Sequence, residues 1–306
     1  MDETTGTGAK KGFQAGAWHF AALLAGNVAL ALGPWLVRLA DTGPVSAAFW
    51  RLFLPLPLFA FLAWRSRAAG PMDRRLLMLA AGAGVFFALD LASWHVGIER
   101  TRLGNAVLFG NSGSVILMIW GLVMVRAWPQ WRESAGVIAA LVGAAMLLAR
   151  SLEISTETFV GDLFCLFAGL CYAFYLLPAQ RARARIGQWS VLFFVCLTAS
   201  PMLLAMATLS GEPVWPGEAG WLPVVALAIS SQVIGQGLLV FSLRHFSPLI
   251  IGMALLTQPA IGAAVGWLAF GETLIALDIL GMALVAAALL LAKSAPPRPV
   301  SARSGS

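Results

Sequence analysis

Ten long apolar segments follow one another along this chain, and they restrict its fold more than any other feature. Each is close to the roughly 20 residues that an α-helix needs to cross about 30 Å of hydrocarbon. The apolar runs are continuous rather than alternating, and lipid offers no partner to unpaired backbone groups, so the sequence predicts helices rather than barrel strands. The expected spans are Ala17–Ala40, Val45–Trp64, Arg75–Val96, Gly104–Val125, Ser134–Arg150, Phe159–Pro178, Trp189–Leu209, Gly220–Phe241, Pro248–Phe270 and Ile275–Ala292.

The composition excludes a water-soluble domain of ordinary kind. Apolar residues make up 59% of the chain and charged residues 11%, and the mean hydropathy is +0.83. A soluble domain carries about a quarter charged residues, which it needs to cover its surface. We therefore predict an all-α membrane protein with ten transmembrane helices, whose outer surface contacts membrane lipid.

The positive charges predict an orientation. If the chain crosses the membrane ten times, fifteen of its twenty Lys and Arg residues fall on the side that holds both termini. Basic residues in short loops favour the cytoplasmic side, so both termini are expected in the cytoplasm and the protein in the cell inner membrane. The net charge of +6 is then a sign of topology and not of nucleic-acid binding. Residues 1–16 and 293–306 are expected to be cytosolic tails, the second of them disordered.

The two halves of the sequence can be aligned by a shift of 145 residues, although few residues are identical. This shift places residues 104–148 over 249–293 without a gap, with Gly136 on Gly281 and Ser114 on Pro259. Because five helices is an odd number, the second half starts on the opposite side of the membrane from the first. The sequence thus predicts two inverted five-helix repeats, at 17–151 and 159–292, as many transporters have.

Several short motifs stand at particular places in the chain, the first of them in the first half and the others in the second. They are Phe49-Trp50-Arg51 on the second span, Gly161-Asp162-Leu163, the run GLCYAFY from Gly169, Gln258-Pro259, Gly271-Glu272-Thr273 and Leu280-Gly281. In this combination the chain resembles the drug/metabolite transporter superfamily, specifically its ten-helix EamA-type exporters, and is similar to bacterial aromatic amino acid exporters. The resemblance implies export of a small metabolite by alternating access, through a site between the halves. One departure concerns the fourth span, where the family often has proline and this chain has Gly110-Asn111-Ser112-Gly113-Ser114.

Polar side chains near the middle of the membrane are the candidate substrate ligands. Such groups are costly in lipid and usually face the bundle interior or a wet cavity. Amides and phenols can bind both the amino and the carboxylate group of a zwitterion, and aromatic rings can supply an apolar wall, to which Phe109 would add. The alternative is that the amides only join helices. The candidate lining consists of Asn27, Trp94, Asn111, Ser114, Tyr172, Tyr175, Gln232, Gln236, Gln258 and Trp267.

Three ionisable residues lie toward the outer half of the second and third spans. Asp90 could titrate and couple transport to protons, or it could form an ion pair with Arg51, and the sequence favours the ion pair. His95 stands five residues after Asp90 and is expected at the outer interface. Protons therefore remain an open partner of the predicted small-molecule substrate.

Catalytic signatures are absent from the sequence. It contains no H-E-x-x-H, no G-x-S-x-G and no P-loop, and its three histidines stand on different segments. We expect no enzyme activity, no cofactor and no metal centre, and therefore a secondary transporter. The preferred hypothesis is an exporter of amino acids, aromatic and hydrophobic ones included. The alternatives are an exporter of drugs or other small metabolites and, from another class, an intramembrane enzyme.

Overall fold

The computed structural model describes residues 16–66, 73–101, 103–125, 130–149, 155–270 and 273–294, and these parts of the chain are helical with short connections. Most of both expected cytosolic tails and the Gly271-Glu272 pair lie outside the described residues. We number the helices by membrane span and give interrupted spans as their segments. They are α1 (Ala17–Ala31 and Gly33–Leu39), α2 (Pro44–Phe53 and Leu56–Ser66), α3 (Arg74–Arg100), α4 (Leu103–Gly110 and Ser112–Val125), α5 (Trp131–Ala149), α6 (Phe159–Arg183), α7 (Gln188–Leu209), α8 (Glu218–Ser242), α9 (Pro248–Leu255 and Gln258–Phe270) and α10 (Ala276–Ser294).

The helices have the length and composition of membrane spans. Within the described residues, nine are long and apolar enough to cross a bilayer, and the apolar part of α10, Ala276–Leu291, is somewhat shorter. The ten-helix prediction is thus confirmed in outline. Besides the interrupted spans, α8 also departs from regular α geometry, because it changes to π-helical turns over Ala228–Gln236.

Polar side chains lie in the interior of the bundle and apolar side chains on its outer surface, as lipid requires. Leu222, Leu268 and Leu290 are largely exposed on the outer surface, whereas Arg51 and Gln232 are buried. A lipid-facing leucine costs nothing, but a lipid-facing guanidinium or amide would lack partners. The buried polar side chains therefore mark the interior of the bundle, where a site for a polar solute can form.

The packing of the helices follows a two-fold pattern between the halves. Helix α3 packs extensively along α6, and its counterpart α8 packs along α1. Three further pairs, α2 with α7, α4 with α9, and α5 with α10, join equivalent helices. A shift by five helices turns the α3–α6 contact into the α8–α1 contact, and it turns each of the other three pairs into itself. This is the arrangement expected of two inverted repeats.

Glycines fix the register of the α5–α10 pair. A Cβ atom added to Gly143 would lie 2.7 Å from the Gly281 carbonyl oxygen, and one added to Gly136 would lie 3.2 Å from the Ala288 carbonyl oxygen. A shift of 145 residues carries Gly136 onto Gly281 and Gly143 onto Ala288, so the two contacts are copies of each other. Small residues let helix backbones approach closely in membranes, where packing replaces the hydrophobic effect.

The loop between α7 and α8 holds the start of α2 in place. The Glu212 carboxylate accepts hydrogen bonds from the backbone N–H groups of Val45 at 2.9 Å and Ser46 at 3.1 Å. These are donors that the first turn of a helix leaves unpaired, and a negative charge there also complements the helix dipole. Trp50 adds a hydrogen bond of 2.7 Å from Nε1 to the Val214 carbonyl oxygen. The segment that carries Arg51 is therefore anchored to the other half.

A buried carboxylate joins α6 to the turn between α3 and α4. Asp162 accepts hydrogen bonds from Thr101, Asn105 and Thr158, the last two at 3.1 and 3.3 Å. A carboxylate three residues into a helix can be explained by the helix dipole alone, but here it also bonds side chains of two other segments. The contact orients the first half of α4, which forms part of the site.

Substitution of Gly143 by alanine should destabilise the fold, because the new methyl group would press on the Gly281 backbone. Overpacking of this kind lowers the free energy of unfolding by about 1–3 kcal/mol. Gly82→Ala is the matched control, since nothing lies within 4 Å of a Cβ added at Gly82. Thermal unfolding in detergent, followed by size-exclusion chromatography, should show a lower midpoint for Gly143→Ala only; equal midpoints would contradict the close contact.

Candidate functional site

A cavity of about 620 Å³ lies between the two halves. Its lining comes from both repeats, including α1, α3 and α4 of the first and α6, α8, α9 and α10 of the second. Sites for small organic molecules usually measure about 300–1,000 Å³ and combine apolar walls with a few placed polar groups. The polar lining consists of Arg51, Asp90, Asn111, Ser114, Tyr172, Gln236, Gln258, Thr273 and Asp278.

The cavity extends toward the end of the bundle that lies opposite the chain termini. Trp35, Leu148 and Thr273 belong to its lining, and all three stand where α1 and α5 finish and α10 is about to begin. Toward the other end the polar lining stops at Tyr172, Gln236 and Gln258. We call the end at Trp35, Leu148 and Thr273 the rim of the cavity. The end at Tyr172, Gln236 and Gln258 is its floor.

Interrupted helices shape one wall. In α4 the helix breaks at Asn111, whose side-chain nitrogen donates 2.7 Å to the Val107 carbonyl oxygen, and Ser114 donates 3.4 Å to the Asn111 amide oxygen. In α9 the break falls at Leu256 and Thr257. The 145-residue shift places Asn111 on Leu256, so both breaks occupy the same place in their repeats. The fourth span is therefore interrupted without the proline that the family often has there.

Two tyrosines and a glutamine connect α6 with α8 at the floor. Tyr175 donates a hydrogen bond of 3.2 Å to the Gln236 side-chain oxygen, and the Gln236 nitrogen donates 3.3 Å to the Tyr172 hydroxyl. Tyr172 and Gln236 line the cavity, whereas Tyr175 is fully buried behind them against Phe87. Tyr175 thus orients the glutamine without reaching the cavity.

A second amide contact connects α1 with α9. Asn27 donates from its side-chain nitrogen to the Ala254 carbonyl oxygen and, at 3.3 Å, to the Thr257 hydroxyl. Gln258 donates 3.4 Å to the Asn27 side-chain oxygen. Gln258 lines the cavity, and Asn27 lies behind it, bonded to the Ala254 carbonyl oxygen, which also accepts hydrogen bonds from the N–H and hydroxyl groups of Thr257 at the break in α9.

Arg51 and Asp90 face the same cavity from α2 and α3. Their charges interact, yet among the described side chains no salt bridge joins the two, and neither has a hydrogen-bond partner there. Arg51 is 3% exposed and Asp90 7% exposed. The direct ion pair that the sequence favours is therefore replaced by two separate charged groups on one cavity wall.

His95 lies deeper than expected. It is fully buried rather than placed at the outer interface, and its Nδ1 lies 2.9 Å from the Pro44 carbonyl oxygen. A carbonyl only accepts hydrogen bonds, so Nδ1 carries the proton, and the buried Nε2 has no partner within the described residues. His95 does not line the cavity, and its visible contact joins α3 to the start of α2.

Other expected lining residues lie elsewhere. Gln232 is fully buried and donates 3.4 Å to the Cys196 sulfur on α7, and Trp267 is half exposed on the outer surface. Phe109 packs beside Ile98 and Trp94, of which only Trp94 reaches the cavity. We therefore leave Gln232, Trp267 and Phe109 out of the candidate site and keep Trp94.

The structure adds residues that the sequence did not single out as ligands. Asp278 accepts a hydrogen bond of 3.0 Å from the Ile275 N–H at the start of α10, and it also lines the rim. Phe87, Leu91 and Trp35 form apolar wall. In the sequence these three are ordinary members of apolar runs. For Phe87 and Leu91 one signal was available, because their helical spacing from Asp90 and Trp94 places all four residues on one face of α3.

Comparison with known proteins decides the family. A sequence model of the EamA-like transporter family matches residues 16–149 and again residues 159–293. The chain belongs to the EamA-like transporter family. The family's two consecutive matches coincide with the two halves between which the cavity lies, and this member is accordingly a multi-pass membrane transporter for a small molecule.

Individual relatives agree with this assignment. An uncharacterized transporter of Archaeoglobus fulgidus is 26% identical over 271 residues, which cover 89% of this chain and 93% of that protein. The threonine/homoserine exporter RhtA of Salmonella typhimurium is 27% identical over 233 residues, or 74% of each chain. A solved crystal structure of a protein that is 18% identical superimposes with a TM-score of 0.69 over 90% of this chain and 95% of that chain, and shares the fold.

The two glutamines should respond differently to replacement by leucine. Gln258→Leu removes a polar group from the cavity and should weaken substrate binding by about 1 kcal/mol, roughly fivefold in Kd. Gln232→Leu changes a side chain that the cavity does not reach and should leave Kd unchanged. Binding measurements on both purified variants check this; a Kd that changes with Gln232 and not with Gln258 would contradict the placement of the site.

Proposed function

We propose that this EamA-like transporter exports amino acids, aromatic and hydrophobic ones included, across the cell inner membrane. The observation that carries the proposal is the lining of the cavity. Amide and phenol groups at its floor can bind the polar backbone of an amino acid, and Phe87, Leu91 and Trp94 offer an apolar wall for its side chain. A relative that bears the name threonine/homoserine exporter supports the same substrate class.

The orientation follows from the positive charges. With both termini in the cytoplasm, the rim at Trp35 and Thr273 faces outward and the floor faces the cytoplasm. The described conformation is then the outward-open one, from which an exporter releases its substrate. Loading from the cytoplasm requires that the floor open and the rim close.

Two hydrogen-bonded contacts close the floor. Asn27 and Gln258 join α1 to α9, and Tyr175 and Gln236 join α6 to α8. These are neutral bonds, each contributing about 0.5–1.5 kcal/mol, so they can break and re-form in every transport cycle. The helix breaks at Asn111 and at Leu256 supply points at which α4 and α9 can bend.

A cationic drug is the second candidate substrate. The observation that favours it is Asp90, a carboxyl group on the cavity with no salt bridge to Arg51 in the described part of the chain. Such a group could bind an organic cation. The nearby guanidinium of Arg51 opposes this, because it would repel a ligand with positive charge alone.

Counterflow in proteoliposomes tests the proposal. Vesicles that hold purified protein and excess unlabelled amino acid should accumulate the labelled form of the same amino acid, with hydrophobic and aromatic members of the panel the most active. Protein-free vesicles are the control, and a proton gradient across the membrane tests coupling. If folded protein moves organic cations and no amino acid, the drug candidate replaces the amino acid one.

A further inference from the structure

The strongest unexplained feature of the cavity is its pair of separated charges. Arg51 and Asp90 are each more than nine-tenths buried, and both reach the cavity. The Nε atom of Arg51 is shielded from solvent and has no hydrogen-bond partner among the described groups. Burial of an ionisable group without a partner is unfavourable, so the position of these two groups on the cavity requires an explanation.

The surroundings of Arg51 do not supply the missing partner. The ionisable side chains near the guanidinium are those of Asp90, Tyr172, Tyr175 and Cys196, and His95 lies near it as well. None of them forms a hydrogen bond with Arg51 in the parts of the chain that the structure describes. Trp50, the preceding residue, is bonded to the Val214 carbonyl oxygen, and Glu212 caps the helix start, so this segment is anchored beside its free guanidinium.

We infer that Arg51 binds the carboxylate and Asp90 the ammonium group of the same α-amino acid, so that the cavity selects zwitterions. The inference rests on the proposed function and names the groups that determine its specificity. An α-amino acid carries both charges on one carbon, and a planar guanidinium matches a carboxylate with two parallel hydrogen bonds. A single bound molecule therefore supplies a partner to each buried charge.

The position of the apolar wall agrees with this binding mode. Phe87, Leu91 and Trp94 lie on the same helix as Asp90, within four residues of it, and all line the cavity. An amino acid held between Arg51 and Asp90 can thus place its side chain on these residues. This wall accepts apolar side chains of different shapes, so selection for charge is strict and selection for side chain is broad.

Selectivity for two charges explains why neither charge alone should suffice. An amine leaves Arg51 without a partner and is repelled by its positive charge. A carboxylic acid leaves Asp90 without a partner and is repelled by its negative charge. Hydrogen bonds to charged groups contribute enough that the loss of one partner should weaken binding by about 10- to 100-fold. The wild-type protein should therefore prefer the amino acid over both of its singly charged analogues.

The test crosses three ligands with two variants. The ligands are L-phenylalanine, 2-phenylethylamine, which lacks the carboxylate, and 3-phenylpropionate, which lacks the ammonium group; L-leucine with isoamylamine and 4-methylpentanoate forms a second set. Equilibrium binding to purified protein in nanodiscs is measured at one pH. Arg51→Gln should lose the preference for the amino acid over the amine and keep that over the acid. Asp90→Asn should do the reverse.

Controls separate a change of specificity from loss of the fold. Arg181→Gln removes an exposed arginine at the other end of the bundle and should leave every ratio unchanged. If Arg51→Gln or Asp90→Asn does not yield monodisperse protein, Arg51→Lys and Asp90→Glu keep the charge and should retain a reduced preference for the zwitterion.

The outcomes distinguish this inference from the proposed function. Amino acid binding with ratios that no variant alters, or a wild-type protein that binds the amine or the acid as well as the amino acid, would overturn the roles of Arg51 and Asp90 while amino acid export stands. Failure of folded wild-type protein to bind or move any amino acid would reject the proposed function, and the zwitterion site with it.

Discussion

Every part of this structure depends on the rule that lipid cannot hydrogen-bond. A polar group in the membrane must find its partner inside the protein, and helices satisfy their own backbone in this way. Side chains must do the same, so Asn27, Gln236 and Asp162 are held by groups from other helices. The rule also singles out the exceptions. Where a polar side chain is buried next to a cavity and has no partner among the described groups, a ligand can supply one.

The fold could be predicted from the sequence because membrane spans have a strong signal. Continuous apolar runs gave the spans, and the odd number of helices in each half gave the inversion. Even the internal shift of 145 residues has a direct structural counterpart in the contacts of Gly136 and Gly143 across α5 and α10. Length and hydropathy are properties of single segments, so no knowledge of packing was needed.

The site was predictable only in part, because depth in the membrane does not determine which way a side chain points. Asn27, Gln232 and Gln258 are expected at similar depth, yet only Gln258 reaches the cavity. Gln232 and Gln236, four residues apart on α8, show the same difficulty, because they share a segment and yet differ in their partners. One turns to Cys196 and the other to the tyrosines. Asp90 and Arg51 were expected to form an ion pair, and the separation of the two groups on the cavity is a property of the packed helices.

The scaffold has two-fold symmetry, and the chemistry of its cavity does not. Arg51 and Asp90 both come from the first repeat, as do the aromatic walls beside them, whereas at the floor the second repeat contributes the neutral groups of Tyr172, Gln236 and Gln258. A solute bound through its charges would thus belong to one half of the protein and only touch the other. Opening and closing of the floor would then require no charged contact to be exchanged between the halves, and the second repeat could slide past the solute there as an uncharged surface.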